Sequence, residues 1–281
     1  MKPFAPIAVG TARIEPGRLA LIAGPCVLEE AGMAEEVARE VKRVAAALDL
    51  PFIFKASYAK ANRTSGESER GPGLADGLRA LARIRETVGV PVTSDVHESA
   101  DVAEAARFID MIQIPAFLCR QTSLIEAAAR SGKPLHIKKG QFLAPESMRH
   151  VAEKARAAGA NGIVLTERGT TFGYGDLVVD FRGLARMREF GCPVFYDATH
   201  SVQRPGGATT GGDRAMIPVL ARAAVAAGAD GIFLETHPDP KKARSDRETQ
   251  WPLAELEDLL RSLIKIRQAV ADTIVLEGQR A

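Results

Sequence analysis

The sequence Pro51-Phe-Ile-Phe-Lys-Ala-Ser-Tyr-Ala-Lys-Ala-Asn-Arg-Thr-Ser65 contains a short apolar run followed directly by a polar one. Residues 52–54 follow a proline and are rich in β-formers, which predicts a buried strand. From Lys55 onward the stretch mixes cationic, hydroxyl and amide side chains, which can donate many hydrogen bonds to phosphate or carboxylate oxygens. Because Lys55 lies at the end of the buried strand, its charge needs an anionic partner. We interpret this stretch as a strand followed by an anion-binding loop.

The same alternation of a short apolar run with a longer amphipathic segment extends along the whole chain. The predicted strand–helix pairs are 19–23 with 30–48, 52–54 with 75–88, 91–93 with 102–108, 111–114 with 122–129, 135–137 with 145–158, 162–165 with 184–189, 193–195 with 215–227, and 231–234 with 252–271. Nearly continuous apolar strands are typical of parallel sheets that are covered on both faces. Eight such units predict an α/β fold of the (β/α)8 TIM barrel type.

A doubly wound open sheet is the alternative architecture, but the chain has no strand–GxGxxG–helix motif to support it. Residues 4–16 precede the first unit and are expected to form a short hairpin at the barrel floor. No linker or change of composition divides the chain. We therefore expect residues 1–281 to form a single domain.

The composition restricts the possible functions. The chain has 281 residues, of which 46% are hydrophobic and 26% charged, and its net charge is +2. This charge is too small to indicate binding of nucleic acid or membrane through overall electrostatics. No apolar run approaches the ~20 residues that span a bilayer, and the N-terminus has no signal-peptide pattern. The three cysteines are odd in number and widely spaced, which argues against a disulfide framework and favours a cytoplasmic protein.

Polar residues follow nearly every predicted strand. In a TIM barrel, the residues after the strands build the active site. Here they are Cys26, Lys55, Ser57, Lys60, Asp95, His97, Gln113, Lys138, Lys139, Glu167, Arg168, Asp197, His200, Glu235 and His237. The sequence therefore predicts an active site at the C-terminal rim of the barrel.

Four cations in this set suit an anionic ligand. Lys55, Lys60, Lys138 and Arg168 can together neutralise about four negative charges, as a ligand with both phosphate and carboxylate groups requires. Each one alone is explained equally well by an ion pair with a nearby carboxylate. As a set, however, we expect them to outnumber the nearby carboxylates.

A second group offers metal ligands. Cys26, His200, Glu235 and Asp246 provide thiolate, imidazole and carboxylate donors, which suit a borderline divalent transition ion. Their spacing is not that of a local metal motif, and a lone cysteine after a strand is more often a small buried hydrophobe. Two long predicted loops, 199–213 and 236–250, flank these residues, and we expect them to act as lids that exclude water.

Short motifs over nearly the whole chain carry a family resemblance. They are Ala23-Gly-Pro-Cys26, Lys55-Ala-Ser-Tyr-Ala-Lys-Ala-Asn-Arg-Thr-Ser65, Arg70-Gly-Pro-Gly73, Ser94-Asp-Val-His97, Ile112-Gln-Ile-Pro-Ala-Phe117, Ile137-Lys-Lys-Gly-Gln141, Glu167-Arg168-Gly169, Asp197-Ala-Thr-His200, Glu235-Thr-His-Pro-Asp-Pro240, Ser245-Asp246 and Thr249-Gln250. Together they resemble the 3-deoxy-D-manno-octulosonate 8-phosphate synthases. The resemblance implies a barrel that forms a homotetramer. It also implies condensation of phosphoenolpyruvate with D-arabinose 5-phosphate and water, which yields the octulosonate phosphate and inorganic phosphate for lipopolysaccharide synthesis.

The resemblance also implies roles for individual residues. Lys55, Lys60, Lys138 and Arg168 would hold phosphoenolpyruvate, while Ser57, Gln113 and His200 would also contact substrate. The sugar would be contacted by Asn62 and Asp95, and its phosphate by Arg63 and Ser65 of the neighbouring subunit, which would also contribute Phe117. The expected catalytic set is Lys55, Lys60, Lys138, His200 and Asp246.

The same resemblance implies a metal. Cys26, His200, Glu235 and Asp246 match the ligands of the metal-dependent branch, whereas the metal-independent branch has Asn at the position of Cys26. One divalent transition ion, namely Fe2+, Zn2+, Mn2+ or Co2+, is therefore expected.

Other functions stay open at this point. The related 3-deoxy-D-arabino-heptulosonate 7-phosphate synthases use erythrose 4-phosphate and have proline where this chain has Asn62; an extra amide suits the longer sugar. A non-catalytic phosphosugar-binding barrel would not need both a metal set and four cations. A Schiff-base aldolase would use Lys138 or Lys55 as its nucleophile.

Overall fold

A computed structural model describes residues 4–61, 71–205 and 211–279. Within these ranges eight strands alternate with eight α-helices along the chain. The strands are β1 (Ala20–Gly24), β2 (Phe52–Lys55), β3 (Val92–Asp95), β4 (Met111–Ile114), β5 (Leu135–Lys138), β6 (Ile163–Glu167), β7 (Val194–Asp197) and β8 (Gly231–His237). The helices are α1 (Ala31–Ala47), α2 (Leu74–Ile84), α3 (Val102–Phe108), α4 (Thr122–Arg130), α5 (Met148–Ala157), α6 (Arg182–Arg188), α7 (Ile217–Ala226) and α8 (Leu256–Gln279).

The eight strands form a closed barrel. Each strand pairs in parallel with the next one along the chain, and β8 then pairs with β1 over Gly231–Glu235. The prediction of a (β/α)8 TIM barrel is confirmed. The open-sheet alternative is wrong, because an open sheet would leave β1 or β8 with an unpaired edge.

Most predicted boundaries lie within a few residues of those in the structure, and two differences have a clear cause. β8 continues to His237, and Trp251–Pro252 pairs with its end. The last helix therefore begins at Leu256 and not at residue 252, and it continues to Gln279. The predicted helix 75–88 divides into α2 and a π-helical turn over Arg85–Gly89.

The N-terminal hairpin is also confirmed, with strands Ile7–Val9 and Ala12–Ile14. Gly10 lies at its turn with φ +53°, a conformation that favours glycine. The hairpin packs into the bottom of the barrel. It contributes Phe4, Ile7, Val9 and Ile14 to an interior core with Ala20, Ile22, Ile53, Met111, Val164, Phe195 and Phe233.

This interior core decides which residues reach the top of the barrel. Alternate residues of a strand point to the same face. Four interior core residues are each followed, two positions later, by a polar residue: Ile53 by Lys55, Met111 by Gln113, Phe195 by Asp197 and Phe233 by Glu235. The register that fills the barrel with apolar side chains thus directs these polar side chains into its upper end.

A second, larger core lies between the barrel wall and the helices. The α1 helix shows the pattern, since its buried residues recur every three to four positions along one face. They are Ala34, Val37, Ala38, Val41, Val44 and Ala45, and they belong to the same core as Leu21 and Ala23 of β1. This layer holds the strands in place from outside.

The sequence did not predict an antiparallel hairpin over Thr170–Phe172 and Asp176–Val178, which lies between β6 and α6. The predicted loop 199–213 begins with a 3-10 turn, His200–Val202, and continues as a short pairing of Gln203–Arg204 with Gly211–Gly212. Over the ranges given above, no helix has the length and apolar character needed to cross a membrane.

Candidate active site

Lys55 is held at the centre of the rim by four groups. Its ammonium donates hydrogen bonds to Ser57 Oγ at 2.8 Å, Cys26 O at 3.2 Å and Glu235 Oε1 at 3.3 Å, and it lies 3.7 Å from Asp95 Oδ1. Only 2% of the residue is exposed. The buried cation predicted at the end of β2 therefore has the anionic partners that its burial requires.

Asp95 at the end of β3 is held in its ionised form. Ser57 Oγ donates to Asp95 Oδ1 at 2.5 Å, and His97 Nε2 lies 3.1 Å from Oδ2. Burial alone would raise the pKa of this carboxyl. The charge of Lys55 and the hydrogen bond with His97 instead hold the pKa well below its usual range. Asp95 is therefore an anion and a hydrogen-bond acceptor at neutral pH.

Lys138 on β5 pairs with Asp197 on β7 across the barrel. The two charged atoms are 2.5 Å apart, and the ammonium lies 3.1 Å from the centroid of the Phe233 ring. Burial lowers the pKa of Lys138 to about 8, although Asp197 acts in the opposite direction. Lys138 can therefore lose its proton close to physiological pH.

His200 is oriented by the same aspartate. The backbone N–H of His200 donates to Asp197 Oδ1 at 2.9 Å, and His200 Nδ1 lies 2.9 Å from Oδ2. An ionised carboxylate at Nδ1 selects the tautomer with its proton there, which leaves the lone pair on Nε2. Nε2 points to Glu235 Oε1 at 3.7 Å and Asp246 Oδ2 at 3.9 Å. His200 Nε2 therefore faces two of the other predicted metal ligands, although the compact group of donor atoms consists of Cys26, Glu235 and Asp246.

The other predicted metal ligands lie beside His200 Nε2. Cys26 Sγ donates to Asp246 Oδ2 at 3.0 Å, and the ligand atoms of Cys26, Glu235 and Asp246 all lie within 4.8 Å of one another. Glu235 Oε2 is buried without a hydrogen-bond partner among the described residues, a costly state that a cation would relieve. These sulfur, nitrogen and oxygen donors fit a borderline divalent transition ion.

The Cys26 thiol and the Glu235 carboxyl of this cluster differ in protonation state. Burial raises the pKa of Cys26 well above its usual range, and Asp246 and Glu235 add to this effect. Glu235 is the opposite case. Burial would raise its pKa, but His200 and the lysines lower it to about 2. Without a metal, the thiol is therefore neutral and Glu235 is charged.

Arg168 follows β6 directly, and the two terminal nitrogens of its guanidinium have different surroundings. Its Nη2 donates to Gln203 Oε1 at 2.9 Å. Its Nη1 is buried and has no hydrogen-bond partner among residues 4–61, 71–205 and 211–279. A buried guanidinium nitrogen without a partner is a donor that an anionic ligand can use.

Lys60 completes the predicted cation set. Burial would lower the pKa of Lys60, but its acidic neighbours, chiefly the Cys26 thiol and the carboxylates of Glu235 and Asp95, raise it. The structure therefore corrects the expectation that the cations outnumber the nearby carboxylates. In the described part of the chain, Lys55, Lys60, Lys138 and Arg168 face Asp95, Asp197, Glu235 and Asp246. The charges nearly balance, so a divalent cation would make the site net positive.

Comparison with known proteins identifies the family to which this barrel belongs. A family model described as the DAHP synthetase I family matches residues 10–272. The chain belongs to this family.

Similar members of the DAHP synthetase I family share a single name. A "2-dehydro-3-deoxyphosphooctonate aldolase" of Acidithiobacillus ferrooxidans is 56% identical over 252 residues, which cover 89% of this chain and 90% of the relative. Proteins of the same name from Alkalilimnicola ehrlichii and Nitrosococcus oceani are 55% and 53% identical, and they cover 90% and 93% of this chain and 92% and 94% of their own lengths. This name is a synonym of 3-deoxy-D-manno-octulosonate 8-phosphate synthase, so the resemblance of the motifs is confirmed.

The family resemblance implicates five further residues, namely Asn62, Arg63, Ser65, Gln113 and Phe117. Asn62, Arg63 and Ser65 are outside the described residues. Gln113 is buried at the end of β4, and its Oε1 has no hydrogen-bond partner in the described part of the chain. Phe117 lies in a 3-10 turn with 55% of its surface exposed.

Lys138 ends β5 and Lys139 follows it directly, and the two lysines have different surroundings although the sequence placed both at the rim. Lys138 points inward, whereas Lys139 points outward because side chains alternate along a strand. Lys139 lies 3.5 Å from Glu167 Oε1 and donates to Leu143 O at 3.2 Å and Thr170 Oγ1 at 3.1 Å. The Lys139–Glu167 pair therefore supports the loops after β5 and β6 and does not belong to the cation cluster.

Three further residues shape the site, and sequence reasoning did not assign them a role. Thr199 Oγ1 accepts a hydrogen bond from Glu235 N at 2.7 Å. Gln250 Oε1 accepts from Cys26 N at 3.4 Å, and its Nε2 donates to Ser245 O at 2.8 Å. Gln203 lies between Arg168 and Asp246. Their position in the two long loops, and the place of Thr199 and Gln250 in two of the family motifs, were the signals in the sequence.

Proposed function

We propose that this chain is a 2-dehydro-3-deoxyphosphooctonate aldolase, a C–C bond-forming transferase. It condenses phosphoenolpyruvate with D-arabinose 5-phosphate and water, and it releases 3-deoxy-D-manno-octulosonate 8-phosphate and inorganic phosphate for lipopolysaccharide core synthesis. The observation that carries the proposal is the match in name and length to relatives that are 51–56% identical. The cation cluster and the donor set at one rim of the barrel supply the chemistry.

The cations are proposed to bind phosphoenolpyruvate. Lys55, Lys60 and Lys138 surround the same space above the interior core, and Arg168 adds the free Nη1. Phosphoenolpyruvate carries a carboxylate and a phosphate, which need several charge-assisted donors in a buried site. Ser57 and Gln113 add neutral hydrogen-bonding groups beside the cations, and Asp95 is an acceptor for a sugar hydroxyl.

The condensation forms one C–C bond and one C–O bond and breaks another C–O bond. C3 of phosphoenolpyruvate bonds to the aldehyde carbon of the sugar, whose oxygen gains a proton. A water oxygen bonds to C2 and loses one proton, which balances the proton gained by the aldehyde oxygen. The bond between C2 and the phosphate oxygen then breaks, and the remaining hydroxyl proton passes to the departing phosphate as the C2 ketone forms. Lys138, with a pKa of about 8, is the cation best able to supply a proton near neutral pH. His200 is not assigned as a general base, because its Nδ1 is committed to Asp197 and its Nε2 faces Glu235 and Asp246.

We propose Cys26, His200, Glu235 and Asp246 as the ligands of one divalent transition ion, Fe2+, Zn2+, Mn2+ or Co2+. Their donor types and the unpartnered Glu235 Oε2 support this proposal. When bound, such an ion supplies Lewis acidity to an oxygen of substrate or water. Asp246 is thus proposed both as a ligand of the ion and as a member of the catalytic set.

The test of the proposed function is phosphate release from phosphoenolpyruvate with each of two sugars. We expect kcat/KM for arabinose 5-phosphate to exceed that for erythrose 4-phosphate by a large factor. Asn62→Pro should reduce use of arabinose 5-phosphate, because it removes a side-chain amide and a backbone N–H. Equal values, or a preference for erythrose 4-phosphate, would favour the heptulosonate reaction. A non-catalytic barrel would release no phosphate, and a Schiff-base enzyme would be trapped by borohydride.

We further propose that each subunit is a single domain over residues 1–281 and that the subunits form a cytoplasmic homotetramer with shared sites. Exposure of Phe117 supports the shared sites, and the unpaired state of Cys26, Cys119 and Cys192 supports a reducing compartment. The test mixes a charge-loss variant of Arg63 with Lys138→Ala. Verified hetero-oligomers should regain part of the activity, and no recovery would place Arg63 in the site of its own subunit.

A further inference from the structure

One amide side chain connects the anion-binding side of the site to the metal-binding side. Gln203 Oε1 accepts a hydrogen bond from Arg168 Nη2 at 2.9 Å, and Gln203 Nε2 donates one to Asp246 Oδ1 at 3.1 Å. Arg168 follows β6, whereas Asp246 belongs to the long loop after β8. The side chain of Gln203 therefore joins two elements that are distant in the sequence.

Each of these two contacts uses one atom of a charged group and leaves the other atom available. The guanidinium of Arg168 retains Nη1, which has no hydrogen-bond partner in the described part of the chain. The carboxylate of Asp246 retains Oδ2, which lies 3.0 Å from Cys26 Sγ and 3.9 Å from His200 Nε2. Gln203 thus holds one atom of each charged group, while Asp246 Oδ2 lies among the other proposed metal ligands.

The backbone of Asp246 is already fixed, which leaves its side chain as the adjustable part. Asp246 has φ +49°, a left-handed conformation that is costly for a residue other than glycine. Thr249 N and Gln250 N donate to its carbonyl oxygen at 2.9 and 3.0 Å. The hydrogen bond from Gln203 to Oδ1 therefore helps to set the direction of the carboxylate, together with the contacts of Cys26 and Ser245 at Oδ2.

Gln203 is also close in the chain to His200, another proposed metal ligand. It directly follows the 3-10 turn His200–Val202, and its backbone pairs with Gly212. A shift of this short segment would change the positions of His200 and Gln203 together.

We propose that Gln203 is a positioning residue that couples anion binding at Arg168 to metal binding at Asp246. The proposal rests on the proposed function, which supplies the two ligands. Glutamine suits this position because its amide offers an acceptor to the cation and a donor to the carboxylate. Glutamate would keep the first contact and repel Asp246, and leucine would lose both. Since linkage is reciprocal, each ligand must change the affinity of the other by the same factor.

The experiment measures binding directly and does not depend on turnover. Phosphoenolpyruvate binding is followed by calorimetry, and Co2+ binding by the thiolate-to-cobalt absorbance, each with and without the other ligand. In the wild-type protein each ligand should raise the affinity of the other, by a factor on the order of 5–150. In Gln203→Leu this factor should fall towards one. Gln268→Leu, at an exposed position on α8, is the matched control and should leave the factor unchanged.

A second variant separates positioning from a general loss of structure. Gln203→Glu has nearly the same shape, adds a negative charge beside Asp246 and neutralises Arg168. Its coupling factor should also fall towards one, because the donor to Asp246 is lost, while its free energy of unfolding should stay near that of the wild-type protein. Unchanged coupling in Gln203→Leu or in Gln203→Glu overturns the proposal and leaves the proposed function standing. A wild-type protein that binds neither ligand overturns both.

Discussion

Lys138 and Asp197 form a buried ion pair across the top of the barrel, with 2.5 Å between Nζ and Oδ2. Asp197 stays ionised, because His200 and Lys138 hold its pKa well below the usual range despite burial. The pKa of Lys138 is lowered as well, to about 8, because burial disfavours its charged form. The charge of this cation therefore depends on pH within the range in which enzymes work.

The affinity for phosphoenolpyruvate should consequently fall as pH rises through about 8. Lys138 is charged below its pKa and neutral above it, so one of the cations that attract the anion is lost on the alkaline side. Calorimetry between pH 6.5 and 9.5 (~3 pH units around this pKa) measures the effect. Lys138→Arg should bind more weakly overall but with a flatter pH profile, because arginine keeps its charge. A wild-type affinity that does not change across this range would contradict the assignment.

Removal of the metal should abolish activity, and Cys26→Ala should have the same effect by preventing metal binding. Fe2+, Mn2+, Co2+ or Zn2+ should restore the chelated wild-type protein, whereas Mg2+ should do so poorly because it prefers all-oxygen sites. The neutral thiol must lose its proton on binding, so metal affinity should fall as pH is lowered.

Elemental analysis and cobalt absorbance measure the metal content of Cys26→Ala. Cys192→Ala is the matched control, since Cys192 is a buried cysteine beside Arg156 and should leave metal binding intact. Full activity of exhaustively demetallated wild-type protein would place the chain in the metal-independent branch.

Gly24→Ala should disturb the active site by displacing two neighbouring strands of the barrel. A Cβ at this position would lie 2.1 Å from Lys55 O and 3.0 Å from the Phe54 ring. The ends of β1 and β2, which carry Cys26 and Lys55, must then move apart. Overpacking of this kind costs about 1–3 kcal/mol, and both ligands should bind more weakly.

Gly32→Ala is the control for this substitution. Gly32 lies in α1, and a Cβ there would meet nothing within 4 Å. Alanine should stabilise the helix by roughly 0.5–1 kcal/mol. Urea unfolding compares the two variants, and equal effects on stability would contradict the predicted clash.

Arg188→Met should lower the free energy of unfolding strongly. Arg188 lies at the end of the barrel opposite to the active site. Arg188 forms a hydrogen-bonded ion pair with Asp230, whose side chain is 0% exposed and also accepts from Val194 N at 2.9 Å. Loss of this cation removes the hydrogen-bonded partner of the buried carboxyl and leaves only the charge of Arg267 among the described residues to favour its ionised form; breaking a buried pair costs about 3–5 kcal/mol. Arg79→Met, which removes an exposed pair with Asp76, should change stability little.

The pH dependence of the stability of Arg188→Met follows from the pKa of Asp230, the ion-pair partner of Arg188. Burial raises the pKa of Asp230 to about 6, above its value in the unfolded chain. The folded protein then holds more protons between these values, so this group contributes less stability as pH rises towards 6. Without Arg188 the carboxyl is easier to protonate, so the variant should lose less stability at acidic than at neutral pH. An equal loss at both would show that the charge of Asp230 is not the cause.

The barrel was predictable because its strands are buried on both faces and read as continuous apolar runs. The position after each run then indicated Lys55, Asp95 and Glu235 as rim residues. Sequence alone could not separate Lys138 from Lys139, because the inward direction depends on the register of the interior core. It also missed the hairpin over Thr170–Phe172 and Asp176–Val178, where exposed side chains leave no apolar periodicity.

The charge balance and the bridging role of Gln203 were beyond sequence reasoning for a different reason. Both depend on the path of the loops after β7 and β8, which sequence patterns do not specify. The cations were identified correctly as a group, but the carboxylates that oppose them come from four different strands and loops. A count of charges along the chain cannot show which of them meet in space.

The pairing of β8 with β1 also affects how the chain folds. It joins segments from nearly opposite ends of the sequence, and Arg267 Nε adds a second tie to Gly17 O at 3.3 Å. Contacts between such distant segments form slowly, because a long loop of chain must first be closed. Until residues 231–237 have emerged from the ribosome, β1 has an unpaired edge and the apolar interior is open on that side. The growing chain is therefore prone to aggregation until its last strand is in place.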